Sequence, residues 1–194
     1  MSIQPVLIRR VSRVRDRMES TDPGDAILDD VIVLWRAFEA TFDRSRSDEQ
    51  NEMAAVALGE TIRYHGIQKL PATRALIDRL KHLENASIGQ VAEWFGSDAD
   101  DKAALKGRIT SHVAELRQAI LPPPRWNDRD SRKLSDLLYR CRCAIIHSGL
   151  ETNNSLVDIV LPSLRLAMIE IVIGRAAQLE SISLDEATKV FDRG

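Results

Sequence analysis

Apolar residues recur along most of the chain at intervals of three and four, the spacing that places side chains on one face of an α-helix. The clearest stripe consists of Ile27, Leu28, Val31, Trp35, Phe38 and Phe42. Strand signals are scarce, because no long stretch alternates apolar with polar residues and no Asn-Gly turn occurs. We therefore expect an all-α protein.

Turn and helix-breaking residues divide this pattern into elements. A helix starting near Asp98 must end at Leu121–Pro124, because three consecutive prolines cannot continue it. Ser131 or Asp130 can cap the next helix, which runs to about Ser148. In total we expect a bundle of about five to seven helices over residues 23–194. We expect residues 1–22 to form a basic N-terminal arm or helix.

The composition limits the possible classes of protein but does not indicate a particular ligand. The chain has 194 residues, which is long enough for one sizeable core. Its formal net charge of −2 gives no overall indication of nucleic-acid binding, so any RNA-binding surface must be local. The two cysteines, Cys141 and Cys143, point about 200° apart on one helix and cannot pair. The sequence shows no metal-ligand motif and no glycine-rich phosphate loop, so we expect no metal and no cofactor.

Charges within the most apolar region argue against a membrane protein. The segment Leu156–Ile173 contains Asp158, Arg165 and Glu170, which disfavour a bilayer span. This segment is either a central core helix or a dimer surface. We expect a protein of the cytoplasm with no membrane partner.

The helix before Gly149 carries the candidate chemistry. On a helical projection from Leu134, the residues Leu138, Cys141 and Ile145 form a core-facing stripe. Arg140, Cys143 and His147 fall in one sector on the opposite side, and Arg142 lies at the stripe edge, about 140° from His147. The core therefore does not explain His147 and at least one arginine, which face solvent, a cleft or a second subunit.

Histidine and arginine together supply what metal-free RNA cleavage needs. In the last turn of a helix, the partial negative charge favours a protonated His147 imidazole, which can act as a general acid or base. A guanidinium matches the shape and charge of a phosphate. The RNA 2′-hydroxyl can be the nucleophile, so a catalytic serine or cysteine is not required. The alternative is an ordinary solvated helix face.

The segment from Arg142 to His147 resembles the R-x(4–6)-H motif of HEPN domains, with four intervening residues. The flanking Leu138–Tyr139 and Ser148–Gly149 are similar to the common form L-Y-x-x-R-N-x-x-x-H-x-G. Upstream, Leu34–Phe42 resembles the W-x-A-F-N-A-x-Y stretch of Apea-like HEPN proteins. The resemblance implies a HEPN-like bundle that dimerises through its motif helices, so that a composite cleft contains Arg and His from both chains.

Within this resemblance we expect Arg142 and His147 to be catalytic. Arg140 remains a second candidate, because six residues separate it from His147 and helical geometry places it on the same face. Cys143 replaces the Asn that often follows the motif arginine, and Glu39 replaces the frequent Asn of the aromatic helix. Substrate contacts are expected from Arg140, Tyr139 and Cys143, and from the basic residues Arg132 and Lys133 nearer the helix start. Arg125 and Arg129 would add to a positive rim, and Trp126 could stack a base.

The expected function is a metal-independent endoribonuclease acting as a homodimer in a toxin, abortive-infection or phage-defence context. Its partners would be RNA and an antitoxin or another defence-system protein. Two alternatives stay open: a catalytically inactive HEPN-like module that binds RNA or protein, and a purely structural helical dimer.

Overall fold

Eight α-helices build the part of the chain that the computed structural model describes, residues 26–42, 50–95, 101–148 and 155–193. In chain order these are α1 (Ala26–Glu39), α2 (Gln50–His65), α3 (Pro71–Arg79), α4 (Ile88–Phe95), α5 (Lys102–Ala119), α6 (Asp128–Ser148), α7 (Ser155–Leu179) and α8 (Leu184–Arg193). Short 3-10 segments, Ile67–Lys69 and Leu80–Glu84, flank α3. These ranges contain no strand, which confirms the all-α bundle, with one helix more than expected. The predicted N-terminal arm lies outside the described residues.

Helix α7 is the central element of the bundle and packs against α1, α2, α3 and α8. Every residue from Ile171 to Ala177 is buried, including the charged Arg175. Of the two interpretations of this apolar segment, the structure supports a core helix. Pro162 lies inside this helix.

Two glycines allow α2 to approach both long helices closely. A Cβ atom on Gly59 would lie 3.2 Å from Oγ of Ser131 on α6. A Cβ atom on Gly174 of α7 would lie 3.2 Å from Cγ2 of Thr61. Such distances are tighter than ordinary contacts, so the absence of a side chain sets how near these backbones lie.

Polar contacts from α7 fix the helices around it. The carboxylate of Glu170 caps α3, because it accepts the backbone N–H of Ala72 at 3.0 Å and of Thr73 at 2.8 Å. It also accepts the buried Thr73 hydroxyl at 2.7 Å. Nearer the start of α7, Nε of Arg165 donates to the buried carboxylate of Asp30 on α1 at 2.6 Å. The two carboxylates therefore connect α7 to α3 and α1.

Within the four described ranges, no helix combines the length and the apolar character needed to cross a bilayer.

Candidate functional site

Helix α6 carries the candidate motif and begins earlier than expected. Oδ1 of Asn127 accepts the backbone N–H of Arg129 at 2.8 Å and of Asp130 at 3.3 Å. In return, Oδ2 of Asp130 accepts the backbone N–H of Asn127 at 3.0 Å. This reciprocal capping box starts the helix at Asp128, so the prediction that Ser131 or Asp130 is the cap is wrong.

The predicted core stripe of α6 is confirmed. It consists of Leu134, Leu137, Leu138, Cys141, Ala144 and Ile145, all buried. These residues form the buried side of α6, which packs against α1, α2, α4 and α5. Burial raises the pKa of Cys141, which keeps its thiol protonated and unreactive at neutral pH. The remaining side chains of the motif lie outside this stripe.

Arg140 is held by contacts within the fold. Its Nε atom lies 3.0 Å from both carboxylate oxygens of Asp136, one turn earlier on the same helix. Its Nη1 atom donates to the backbone carbonyl oxygen of Phe95, the last residue of α4, at 3.0 Å. These bonds engage Nε and Nη1, and the Asp136 carboxylate neutralises the charge of the guanidinium. Arg140 therefore connects α6 to α4 and is poorly placed to receive a phosphate.

Arg142 has a different environment. Its Cζ atom lies 5.9 Å from the centre of the Tyr139 ring, within the range of a cation–π contact. Its Nη1 atom lies 3.9 Å from Sγ of Cys143, and its buried Nε atom has no hydrogen-bond partner. Within the described part of the chain, no carboxylate pairs with Arg142. Of the two candidate arginines, Arg142 therefore keeps its charge available for an anion.

Tyr139 and Cys143 surround this arginine. Both side chains are half-buried. Burial raises the pKa of Tyr139, and a hydrogen bond with the Cys143 thiol raises it further, so the phenol remains neutral. A neutral phenol and a thiol beside Arg142 leave the guanidinium as the dominant charge of this small cluster.

The aromatic helix α1 packs against Tyr139, a member of this cluster. The Trp35 ring lies 6.1 Å from the Tyr139 ring, centre to centre, and 6.0 Å from Phe38. Nε1 of Trp35 donates to Oε1 of Glu39 at 2.8 Å. Glu39 stands where the Apea-like HEPN stretch often has Asn. Its carboxylate orients Trp35, which packs on Tyr139. The two segments singled out in the sequence are neighbours in the fold.

His147 belongs to the last turn of α6, but its side chain lies outside the described residues. Its position on the helix is five residues beyond Arg142, about 7.5 Å along the axis and about 140° around it. Positions 142 and 147 therefore lie on different sides of an ideal helix.

Arg132 and Lys133 are not part of this cluster. They lie in the first turns of α6, about 15 Å along the axis from Arg142. Arg132 pairs with Glu52 at 3.7 Å, and both side chains are largely exposed. Lys133 pairs with Glu115 of α5 and lies 3.7 Å from Asp130. The helix therefore brings Tyr139, Arg142 and Cys143 together, and keeps the two basic residues near its start apart from them.

Sequence reasoning missed the partners that hold Arg140. Asp136 precedes Arg140 by four residues, a spacing of opposite charges on a helix that could have been recognised. A backbone carbonyl such as that of Phe95 leaves no signal in the sequence. His112 of α5 interacts electrostatically with the same carboxylate of Asp136. Burial lowers the pKa of His112, while the charge of Asp136 opposes this effect.

Within residues 26–42, 50–95, 101–148 and 155–193, no three His, Cys, Asp or Glu side chains are grouped as a metal ion would require. Comparison with protein-family models, curated proteins and solved structures finds no match for this chain.

Proposed function

We propose that this protein is a metal-independent endoribonuclease that acts as a homodimer, with Arg142 and His147 in the catalytic roles. The observation that carries the proposal is the environment of Arg142. Its guanidinium contacts an aromatic ring and a thiol, and no described carboxylate neutralises it. A histidine follows on the same helix, at a spacing similar to the HEPN motif.

The proposed reaction is an intramolecular transesterification of RNA. The 2′-hydroxyl loses its proton and attacks the adjacent phosphorus, and the bond from phosphorus to the 5′-oxygen breaks. The departing 5′-oxygen takes up a proton, and a 2′,3′-cyclic phosphate remains. His147 moves the proton, and Arg142 stabilises the charge that builds on the non-bridging oxygens.

Helix geometry supports a dimeric site. Positions 142 and 147 lie about 140° apart around an ideal helix, so we expect a single chain not to present both residues to one phosphate. Two copies of α6 lying side by side would present the arginine of one chain next to the histidine of the other. This arrangement is also what the HEPN resemblance implies.

The decisive experiment is a cleavage assay on single-stranded RNA in EDTA. Wild-type protein should yield fragments ending in a 2′,3′-cyclic phosphate. His147→Ala should lose this activity, and His82→Ala, which changes a half-buried histidine of the segment Leu80–Glu84, should retain it. Equal cleavage by wild type and His147→Ala would exclude the proposed mechanism.

The second candidate is a HEPN-like module that binds RNA or protein without cutting. The observation that favours it is Cys143, which stands where HEPN proteins often have Asn. Its Sγ atom accepts a hydrogen bond from Nη1 of Arg142 at 3.9 Å. A thiol is a weak hydrogen-bonding group and would position a phosphate poorly. This candidate predicts RNA or protein binding with no His147-dependent turnover in the same assay.

We further propose a cytoplasmic toxin, abortive-infection or phage-defence role, with an antitoxin or another defence protein as partner. The ribonuclease chemistry supports this setting, because uncontrolled RNA cleavage stops growth. Induced expression of the wild type should arrest a bacterial culture, and His147→Ala should not. Equal growth of the two cultures would argue against a toxin.

A further inference from the structure

Two clefts meet at the beginning of α6, far from Arg142. One has a volume of about 740 Å³ and lies between the end of α5, the triple-proline turn and the first turns of α6. The other, of about 680 Å³, lies between the end of α2, the Ile67–Lys69 turn and the same loop. Asn127, the cap of α6, lines both. The two clefts are therefore adjacent surfaces at one end of the bundle.

The first cleft is basic, and we call it the arginine cleft. Arg125, Arg129 and Lys133 line it together with Glu115 and Asp130. Lys133 pairs with both of these carboxylates. Among the described residues, no ion pair holds Arg125 or Arg129, and both are exposed. The lining therefore carries one more positive than negative side chain, and the two exposed arginines are the groups that a phosphate would contact.

The second cleft has an aromatic wall, and we call it the tryptophan cleft. Trp126 lines it beside Pro124, Ile62 and Ile67. The ring is half-buried and is held in place because Nε1 donates to Oγ of Ser131 at 2.9 Å. The ring also packs in part against the core, and the part that lines the open cleft is the surface on which an unpaired base would stack.

We propose that these clefts form a binding site for single-stranded RNA, separate from the cleavage site. Phosphates of the strand contact Arg125 and Arg129 in the arginine cleft, and a base stacks on Trp126 in the tryptophan cleft. Adjacent backbone charge and an aromatic surface are the two elements that proteins combine to hold single strands. This proposal rests on the proposed function, because it takes RNA as the ligand.

The proposed site lies well away from the catalytic pair. Arg129 precedes Arg142 by about 20 Å along α6. A stacked strand covers this distance with about six nucleotides. The site would therefore hold the substrate at a distance from the bond that is cut. Because binding sites for single strands span about 4–16 nucleotides, an RNA of about 12 nucleotides is long enough to test it.

The test is fluorescence anisotropy with a labelled 2′-O-methyl RNA of about 12 nucleotides. This probe cannot be cut, because the attacking hydroxyl is blocked, so binding is measured independently of cleavage. The double variant Arg125→Ala/Arg129→Ala should bind more weakly. Its slope of log affinity against log salt should be smaller by about 1.4, since each lost phosphate contact on a single strand removes about 0.7.

Variants of Trp126 test the stacking step. Trp126→Ala should weaken binding about 5- to 150-fold, and Trp126→Phe, which keeps an aromatic face, should retain most of the affinity. The arginine pair keeps the proposal testable if Trp126→Ala does not fold. The matched control is Arg79→Ala/Lys81→Ala, which removes two exposed cations near the end of α3 and should bind as the wild type does.

The outcomes separate this proposal from the nuclease proposal. Unchanged RNA affinity and salt slope in Arg125→Ala/Arg129→Ala would overturn the binding site even if the protein cuts RNA. Displacement of the probe by polyglutamate as efficiently as by unlabelled RNA would also overturn it, because the clefts would then select charge alone. Loss of binding in the arginine variant, together with no cleavage by any protein, would support the site and reject the nuclease.

Discussion

The guanidinium of Arg140 donates a hydrogen bond to the carbonyl oxygen of Phe95 at 3.0 Å, and so joins the motif helix to the end of α4. The carboxylate of Asp136 holds the same guanidinium from one turn away. Arg142, two residues further on, has no such anchor among the described residues. The two arginines of the motif therefore have separable roles, one in the fold and the other available to a ligand.

Removal of Arg140 should affect stability more than chemistry. Arg140→Ala loses a charge-assisted bond to Phe95 and the pair with Asp136. Such bonds contribute about 1.5–3 kcal/mol when buried, and the partial exposure of both side chains reduces the expected loss to about 1–2 kcal/mol. Urea unfolding should show this decrease, and Arg108→Ala, an exposed arginine of α5, is the control. A wild-type unfolding midpoint for Arg140→Ala would contradict the structural role.

Removal of Arg142 should affect RNA cleavage more than stability. Arg142→Ala loses the cation–π contact with Tyr139 but no charge-assisted bond, so its free energy of unfolding should fall by about 0.5–1 kcal/mol, less than that of Arg140→Ala. If the nuclease proposal holds, cleavage should fall about 100- to 1,000-fold, as expected when one group that stabilises a transition state is removed. Single-turnover rates on RNA measure this loss. An Arg142→Ala protein that cuts normally, alongside an inactive but folded Arg140→Ala protein, would reverse the assignment.

His112 should make stability depend on pH below neutrality. Burial lowers its pKa in the folded protein, and of the charges around it Asp136 and Glu115 oppose this effect while Lys133 and Arg108 strengthen it. The unfolded chain takes up the proton near the ordinary value of 6.5, before the folded protein does. Stability is therefore fully present above that pH and is lost as pH falls through the lower, folded value.

The variant His112→Asn removes the titrating group and should flatten this dependence. Urea unfolding of both proteins at several pH values between about 7 and 5 measures it. The wild type should lose more unfolding free energy over that interval than the variant. Parallel pH profiles for the two proteins would show that His112 does not contribute.

Glu170, which lies on α7, should stabilise the N-terminus of α3. Glu170→Ala leaves the N–H groups of Ala72 and Thr73 and the buried Thr73 hydroxyl without their acceptor. The expected cost is about 2–3 kcal/mol. Glu170→Gln keeps one acceptor oxygen and should lose about half as much. Thermal or urea unfolding orders the three proteins, and an alanine variant as stable as the glutamine variant would contradict the capping role.

The helices of this fold were predictable because most of them have one apolar and one polar face. The stripes of α1 and α6 gave the core residues Trp35, Phe38, Leu134 and Cys141 correctly. The predicted start of α6 was a few residues too late, because Ser131, Asp130 and Asn127 can all cap a helix. In the structure Asn127 accepts the first N–H groups of the helix, and Asp130 completes the capping box. Periodicity reports which face is apolar, and it does not fix where a helix begins.

The candidate site was predictable only in part. Both arginines were predicted as candidates from the motif, and helical projection placed Arg140 closer than Arg142 to the side of the helix that carries position 147. The contacts favour Arg142, because Asp136 and the Phe95 carbonyl already hold Arg140. A backbone acceptor on another helix cannot be read from side-chain patterns. The same limit applies to Arg129 and Lys133, which are neighbours on one helix face but differ because only Lys133 meets Glu115.

Cys143 offers the sharpest test of how far the HEPN resemblance extends. Its thiol interacts weakly with Arg142 and with Tyr139, where the family often has an amide that can hold a phosphate. Cys143→Asn adds a stronger donor and acceptor at that position. Under the nuclease proposal, cleavage should rise about 2- to 10-fold, the equivalent of one additional hydrogen bond. The measurement is kcat/KM on single-stranded RNA in EDTA. Cys143→Ala, which adds no hydrogen-bonding group, should cut no faster than the wild type. A Cys143→Asn protein that folds but cuts more slowly would mean that the thiol, and not an amide, fits this site.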